Sequence, residues 1–210
     1  MAHHHPVFAR LYSRLSPAME RSGMGEYRDQ LLAGLTGRVV EVGAGDGANF
    51  PHYPAGVASV VAVEPEPYLR ARARKRAAGL QVPISVVDGV AERLPIQDAG
   101  ADAGVVSLAL CSVTDPHAAL QELHRVIRPG GELRFFEHVR AESAGMRQVQ
   151  RALDATVWPL LAGGCHTGRD TAASIAEAGF VMEQLQPLRF PDIRLPTPVS
   201  DHIHGVARRP

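Results

Sequence analysis

Glu41, Gly43, Gly45 and Gly47 share one short stretch, EVGAGDG, directly after the apolar Val39 and Val40. A strand running into alternate glycines lets the backbone approach a ligand closely, because glycine has no Cβ and accepts positive φ. Gly43, Gly45 and Ala48 satisfy G-x-G-x-x-G/A, the pattern of a dinucleotide loop, and the same letters suit a sulfonium methyl donor. Both ligands carry a ribose. Glu64, 19 residues past Gly45, closes a second apolar run and is placed to accept from ribose hydroxyls. Glu41 and Asp46 separate the two ligands: a carboxylate repels a pyrophosphate and complements a methionine ammonium. The residues therefore favour a methyl donor, and a NAD-dependent oxidoreductase is the alternative.

A second group could move protons. Glu137 and His138 end the run ELRFFEH. A histidine titrates near neutrality and can take the proton of a thiol or hydroxyl. Glu137 can orient it or face away, since neighbouring strand residues alternate faces. Leu110, Cys111 and Ser112 close another apolar run and would face the same ligand. Cys165 and His166, in GGCHTGRD, would edge an acceptor pocket, and Tyr12 would close over it. His202 and His204 share one strand face but have no third ligand. With only two cysteines in the chain, no metal and no disulfide framework are expected.

These residues need a scaffold. Val7 to about Gly34 reads as an amphipathic helical cap, broken and restarted at Ser16-Pro17. Its polar face carries few cations, which favours a lid over a membrane-surface helix. Strands are predicted at 38–42, 58–64, 83–87, 103–110 and 132–138, with two more at 181–189 and 200–207. Helices are predicted after Gly47, at 68–78, at 116–127 before RPGG, at 146–161 and at 171–178. Strands alternating with helices imply an α/β fold with a doubly wound, mostly parallel seven-stranded sheet. The late strands, joined by a long Pro-rich connection, suggest an antiparallel edge. Residues 1–34 form the cap and 35–210 the catalytic domain, one globular unit overall.

Acidic and basic residues balance at 22 each, so no nucleic-acid or anionic-membrane partner is expected. Arg70, Arg72, Arg74, Lys75 and Arg76 spread around a helix and read as a solvated surface. No apolar run is long enough to span a bilayer, the start lacks a signal-peptide core, and His3, His4 and His5 resemble a short tag. A cytoplasmic, reducing setting follows.

Four stretches in order, EVGAGDG (41–47), VEPEP (63–67), GVAERLPIQDAGAD (89–102) and LHRVIRPGGEL (123–133), resemble a class I S-adenosylmethionine-dependent methyltransferase. The resemblance implies Glu41 near the methionine ammonium and Gly43, Ala44 and Gly45 under the cofactor. It puts Glu64 and Pro65 at the ribose, Gly89, Val90 and Ala91 at the adenine, and Asn49, Leu108 and Leu110 beside the cofactor. Val90 stands where many relatives carry Asp; Asp88 or main-chain groups would take over that contact. NFPHYP (49–54), LALCSVTD (108–115), FFEHV (135–139), GGC (163–165) and DHIHGVA (201–207) look like the methyltransferase-like-7 group of thiol S-methyltransferases. That group has a membrane-anchoring N-terminus; none is expected from the residues here, so the expectation is a soluble, bacterial relative, and the resemblance implies a small thiol as acceptor. Oxygen and nitrogen acceptors stay open.

Overall fold

A computed structural model of the protein describes residues 5–191 and 197–210; His3, His4 and part of the Pro-rich connection lie outside the described residues. Seven strands make one sheet: β1 (Gly37–Val42), β2 (Val57–Val63), β3 (Ile84–Val87), β4 (Ala101–Ser107), β5 (Ile127–His138), β6 (Val181–Arg189) and β7 (Asp201–Arg208). Their order is β3-β2-β1-β4-β5-β7-β6. The first five are parallel, and β7 runs antiparallel between β5 and β6. The expected doubly wound sheet is therefore present, with β7 and β6 as its antiparallel flank. β6 forms the rim and carries Pro187, whose missing N–H is tolerated on an edge strand.

Alternation along the strands divides the interior into two layers. Val39 and Phe136 join Leu31, Leu32, Val60 and Val105 on one face, while Val40 and Phe135 join Leu120, Leu123, Ile127 and Ile175 on the other. Successive strand residues point to opposite faces. Strands covered by helices on both sides must be apolar on both, hence the adjacent apolar residues Val39 and Val40 in β1 and the run Ala103–Val106 in β4.

The helices are α1 (Pro6–Met19), α2 (Gly25–Leu32), α3 (Pro67–Ala77), α4 (Pro116–Val126), α5 (Ala144–Asp154), α6 (Trp158–Leu161) and α7 (Thr171–Glu177). α4 starts where Asp115 accepts from Ala118 N at 3.0 Å and Pro116 occupies the first helical position. It buries Ala119, Leu120, Leu123 and Val126, the stripe its sequence spacing predicts.

Several boundaries differ from the sequence reading. α1 runs through Pro17, and the break falls after it, in a π-helical turn (Glu20–Met24) where Gly23 takes φ 105°, a conformation open to glycine and costly elsewhere. No α-helix follows Gly47. Turns lead to a short 3-10 turn at Phe50–His52, and Pro51 and Pro54 deny a helix two backbone donors. β4 stops at Ser107 rather than Leu110, because the chain swings away at Leu108, φ 55°. The helix expected over 146–161 splits into α5 and α6. α4 ends at Val126, and Arg128–Gly131 already belong to β5, since the residue before Pro129 disfavours helix. Among the described residues no helix is long and apolar enough to cross a membrane.

Candidate active site

The carboxyl ends of β1 to β4 open into one cleft of about 170 Å³. Ligand sites in parallel sheets form there because the crossover loops diverge at that end. The floor comes from Gly43 and Gly45, Glu64 and Pro65, Gly89 to Ala91, and Leu108. α1 lies across the mouth with His5, Phe8, Ala9 and Tyr12.

The glycines permit close packing of the floor. Gly43 has φ 71°, and a Cβ there would stand 2.6 Å from Ala109 Cβ. A Cβ on Gly89 would stand 2.9 Å from Val63 Cγ1. Gly45 N donates to Glu64 Oε2 at 2.8 Å, and Glu66 N donates to Glu64 Oε1 at 2.8 Å. Two backbone donors thus fix the Glu64 carboxylate at the cleft while each oxygen keeps capacity for another donor. Burial raises the Glu64 pKa against those two hydrogen bonds. Tyr12 faces Gly45 and stacks on Phe8 with ring centroids 5.9 Å apart; burial pushes its hydroxyl up to about 12.

Two acids expected to face a cationic ligand are turned away from it. Glu41 is buried behind the glycine loop, accepting from Asn49 Nδ2 at 2.8 Å and Tyr53 Oη at 2.8 Å. Arg28 of α2 donates to Asn49 Oδ1 and, at 2.7 Å, to Glu20. Burial pushes Glu41 up to about 7. Asp46 accepts from Ser16 at 3.4 Å and pairs with Arg76 at 3.3 Å. Ala44 and Asn49 are likewise absent from the cleft wall. Asp88 pairs with Arg70 on the surface, 3.0 Å apart, so it does not stand in at Val90. Arg70 also donates to Glu64 O and Pro65 O, so the expected solvated face of α3 in part braces the cleft.

The expected acid–base pair is not at the cleft either. Glu137 is fully buried and accepts from Ala109 N, Leu110 N and Cys111 N at 2.8, 3.0 and 3.3 Å. Its carboxylate pins the loop after β4, which leaves it no free edge for catalysis. Burial raises its pKa. His138 Nε2 lies 3.0 Å from Cys165 Sγ. Burial alone would lower its pKa, but that hydrogen bond and the facing acids raise it. Leu110, Cys111, Cys165 and His166 lie behind the wall, with His166 N donating to Cys111 O at 2.8 Å. Of that group Ser112 alone reaches the cleft.

Sequence reasoning missed Glu92, Arg28 and Arg169. Glu92 lines the cleft and accepts from Thr114 N and Asp115 N at 3.0 and 3.1 Å, tying the loops after β3 and β4 together. Arg169 grips the loop after β4 through Leu110 O and Val113 O. Glu92 stood inside a motif already singled out; the two arginines act across the fold and left no local signal.

The wall decides the ligand charge. Glu64, Glu66 and Glu92 line it, and no lysine or arginine does among the described residues. A pyrophosphate would meet carboxylates and no helix N-terminus behind the glycines, whereas a sulfonium is matched. Gly43 and Gly89 let Ala109 and Val63 pack directly against the floor, and the carboxylates on the wall match a cation, so the residues fit S-adenosylmethionine.

A methyltransferase-domain family matches residues 40–135. A Thermotoga maritima structure described as a SAM-dependent methyltransferase, possible histamine N-methyltransferase, superposes with a TM-score of 0.70 at 24% identity, over 97% of each chain. Fold, cleft and these matches define an S-adenosylmethionine-dependent methyltransferase. Thiol S-methyltransferase TMT1B of Mus musculus is 37% identical over 208 residues, covering 95% of this chain and 81% of that one. Thiol S-methyltransferase TMT1A of Homo sapiens is 34% identical, covering 85% and 74%. The chain belongs to the thiol S-methyltransferase family.

Proposed function

We propose that this enzyme methylates the sulfur of a small-molecule thiol, with the cofactor in the cleft over Gly43 and Gly45. Glu64 takes the ribose hydroxyls, Pro65 and Leu108 pack beside the cofactor, and Gly89, Val90 and Ala91 receive the adenine, largely through main-chain groups. The observation that carries this reading is the Glu64 carboxylate held by Gly45 N and Glu66 N inside a cleft that, among the described residues, has no basic side chain other than His5. Residues 1–34 act as the cap and 35–210 as the methyltransferase domain, with Tyr12 closing the mouth.

When bound, S-adenosylmethionine supplies a methyl group on a positively charged sulfur. The acceptor thiol loses its proton and attacks in line, so alignment is the main demand on the protein. A thiol of pKa about 8.5 ionises readily enough that a strong base is unnecessary. Ser112, Thr114 and Glu92 are polar residues that the loops after β4 and β3 bring to the cleft. Glu137 acts through the loop it pins, and His138 and Cys165 back the wall. Two free cysteines support a reducing, cytoplasmic setting.

Methyl-labelled cofactor offered with thiols, phenols and amines tests the acceptor. Thiols should be turned over and the others not. A phenol or amine turned over faster than every thiol would replace the reading with an O- or N-methyltransferase.

A further inference from the structure

Behind the cleft wall, Cys111 Sγ, Cys165 Sγ and His138 Nε2 all lie within 4.8 Å of one another, and all three residues are buried. They come from the loop after β4, the loop after α6 and the end of β5. Methyl transfer as described above leaves all three side chains without a chemical task.

As bare groups they pair poorly, because a thiol is a weak donor and a weak acceptor. Around a divalent ion they pair well. Two thiolates and a neutral imidazole balance its charge, which removes the cost of burying a lone thiolate. The surroundings suit ligation. Trp158 Nε1 donates to Cys165 Sγ at 3.2 Å, an outer hydrogen bond that orients a ligand sulfur. Arg169, which grips the same loop as Cys111, adds positive charge beside both sulfurs. On the histidine side the outer shell is incomplete: His138 Nδ1, which carries the proton when Nε2 is bound to an ion, is buried without a partner. The cysteine count led to the expectation of no metal; a count along the chain takes no account of a mixed site assembled from three distant segments.

We propose that Cys111 Sγ, Cys165 Sγ and His138 Nε2 hold one thiophilic divalent ion of the Zn²⁺ class, which staples together the three segments behind the cleft. Three protein ligands leave a tetrahedral ion one further position. The site is independent of the acceptor the enzyme uses.

The run His3–His5 also attracts divalent ions, so the test must read sulfur. The reduced, chelator-stripped full chain is titrated with Co²⁺, and thiolate-to-cobalt charge-transfer absorption is followed. Cys111 and Cys165 are the chain's two cysteines, so the wild-type band reports this site even if a variant fails to fold. The band should saturate at one equivalent and be bleached by Zn²⁺. Cys165→Ser and His138→Gln should each weaken Co²⁺ binding at least about tenfold. No charge-transfer band in the wild type, or a band undiminished in Cys165→Ser, would overturn the proposal.

Discussion

Glu64 and Glu41 are both buried carboxylates, yet their surroundings assign them different work. Glu64 is held by backbone donors at the cleft, so Glu64→Ala should weaken cofactor binding by about 1.5–3 kcal/mol, the cost of a lost charged hydrogen bond. Isothermal calorimetry giving an unchanged Kd for S-adenosylmethionine would sink the assignment. Glu41 is sealed beneath the loop with its pKa raised by burial from 4.5 to about 7. A carboxyl with a higher pKa folded than unfolded holds its proton more tightly in the folded state. Its contribution to stability is full below about pH 4.5 and is lost as pH rises to about 7. Glu41→Gln should therefore match the wild type near pH 5 and exceed it near pH 8 by roughly 1–3 kcal/mol. The Tyr53 hydroxyl can turn to accept from the new amide. Denaturant melts showing the same difference at both pH values would contradict that.

At the scale of elements, the N-terminal helices reach the site in two ways. α1 covers the mouth with Phe8 and Tyr12. α2 sends Arg28 inward to join Glu20 to Asn49 and, through it, Glu41. Arg28 is buried but Glu20 is half-buried, so Arg28→Met should cost about 1–2 kcal/mol of stability, largely through the unpaired Asn49 amide oxygen, and loosen the cofactor loop. A shift in denaturant midpoint worth less than about 1 kcal/mol would show the network to be incidental. The cap was legible as helix but its buried face was not: Leu11 and Leu15 of the predicted apolar stripe are half exposed, and α1 buries Ala9, Ser13 and Ser16 instead. Arg28's task was not legible either, because its partners are held near it only by the folded sheet. The predicted helix after Gly47 failed for a local reason: Pro51 and Pro54 deny it two backbone donors, and turns take its place.

Across the whole molecule, cofactor binding and folding are linked. A ligand that binds only the folded state stabilises it by about 2.7 kcal/mol at a hundredfold excess over Kd. For a chain of this size that corresponds to a rise in Tm of about 5–10 °C. S-adenosylhomocysteine should produce such a rise and NADH should not. Stabilisation by NADH alone would restore the oxidoreductase reading.

The sequence by itself determined the alternation of strands and helices, the glycine-bearing first loop and Glu64 at the end of β2, because these follow from periodicity and from spacing along one chain. It also pointed to a methyl donor, but for a reason the fold replaced: Glu41 and Asp46 face inward and away, and it is Glu64, Glu66 and Glu92, on a wall with no lysine or arginine among the described residues, that match a cation. Which way a side chain points off a loop is set by what packs behind it. For that reason tertiary structure alone separated Glu137, which pins a loop, from a catalytic acid. The same packing brought Cys111, His138 and Cys165 together from three distant segments.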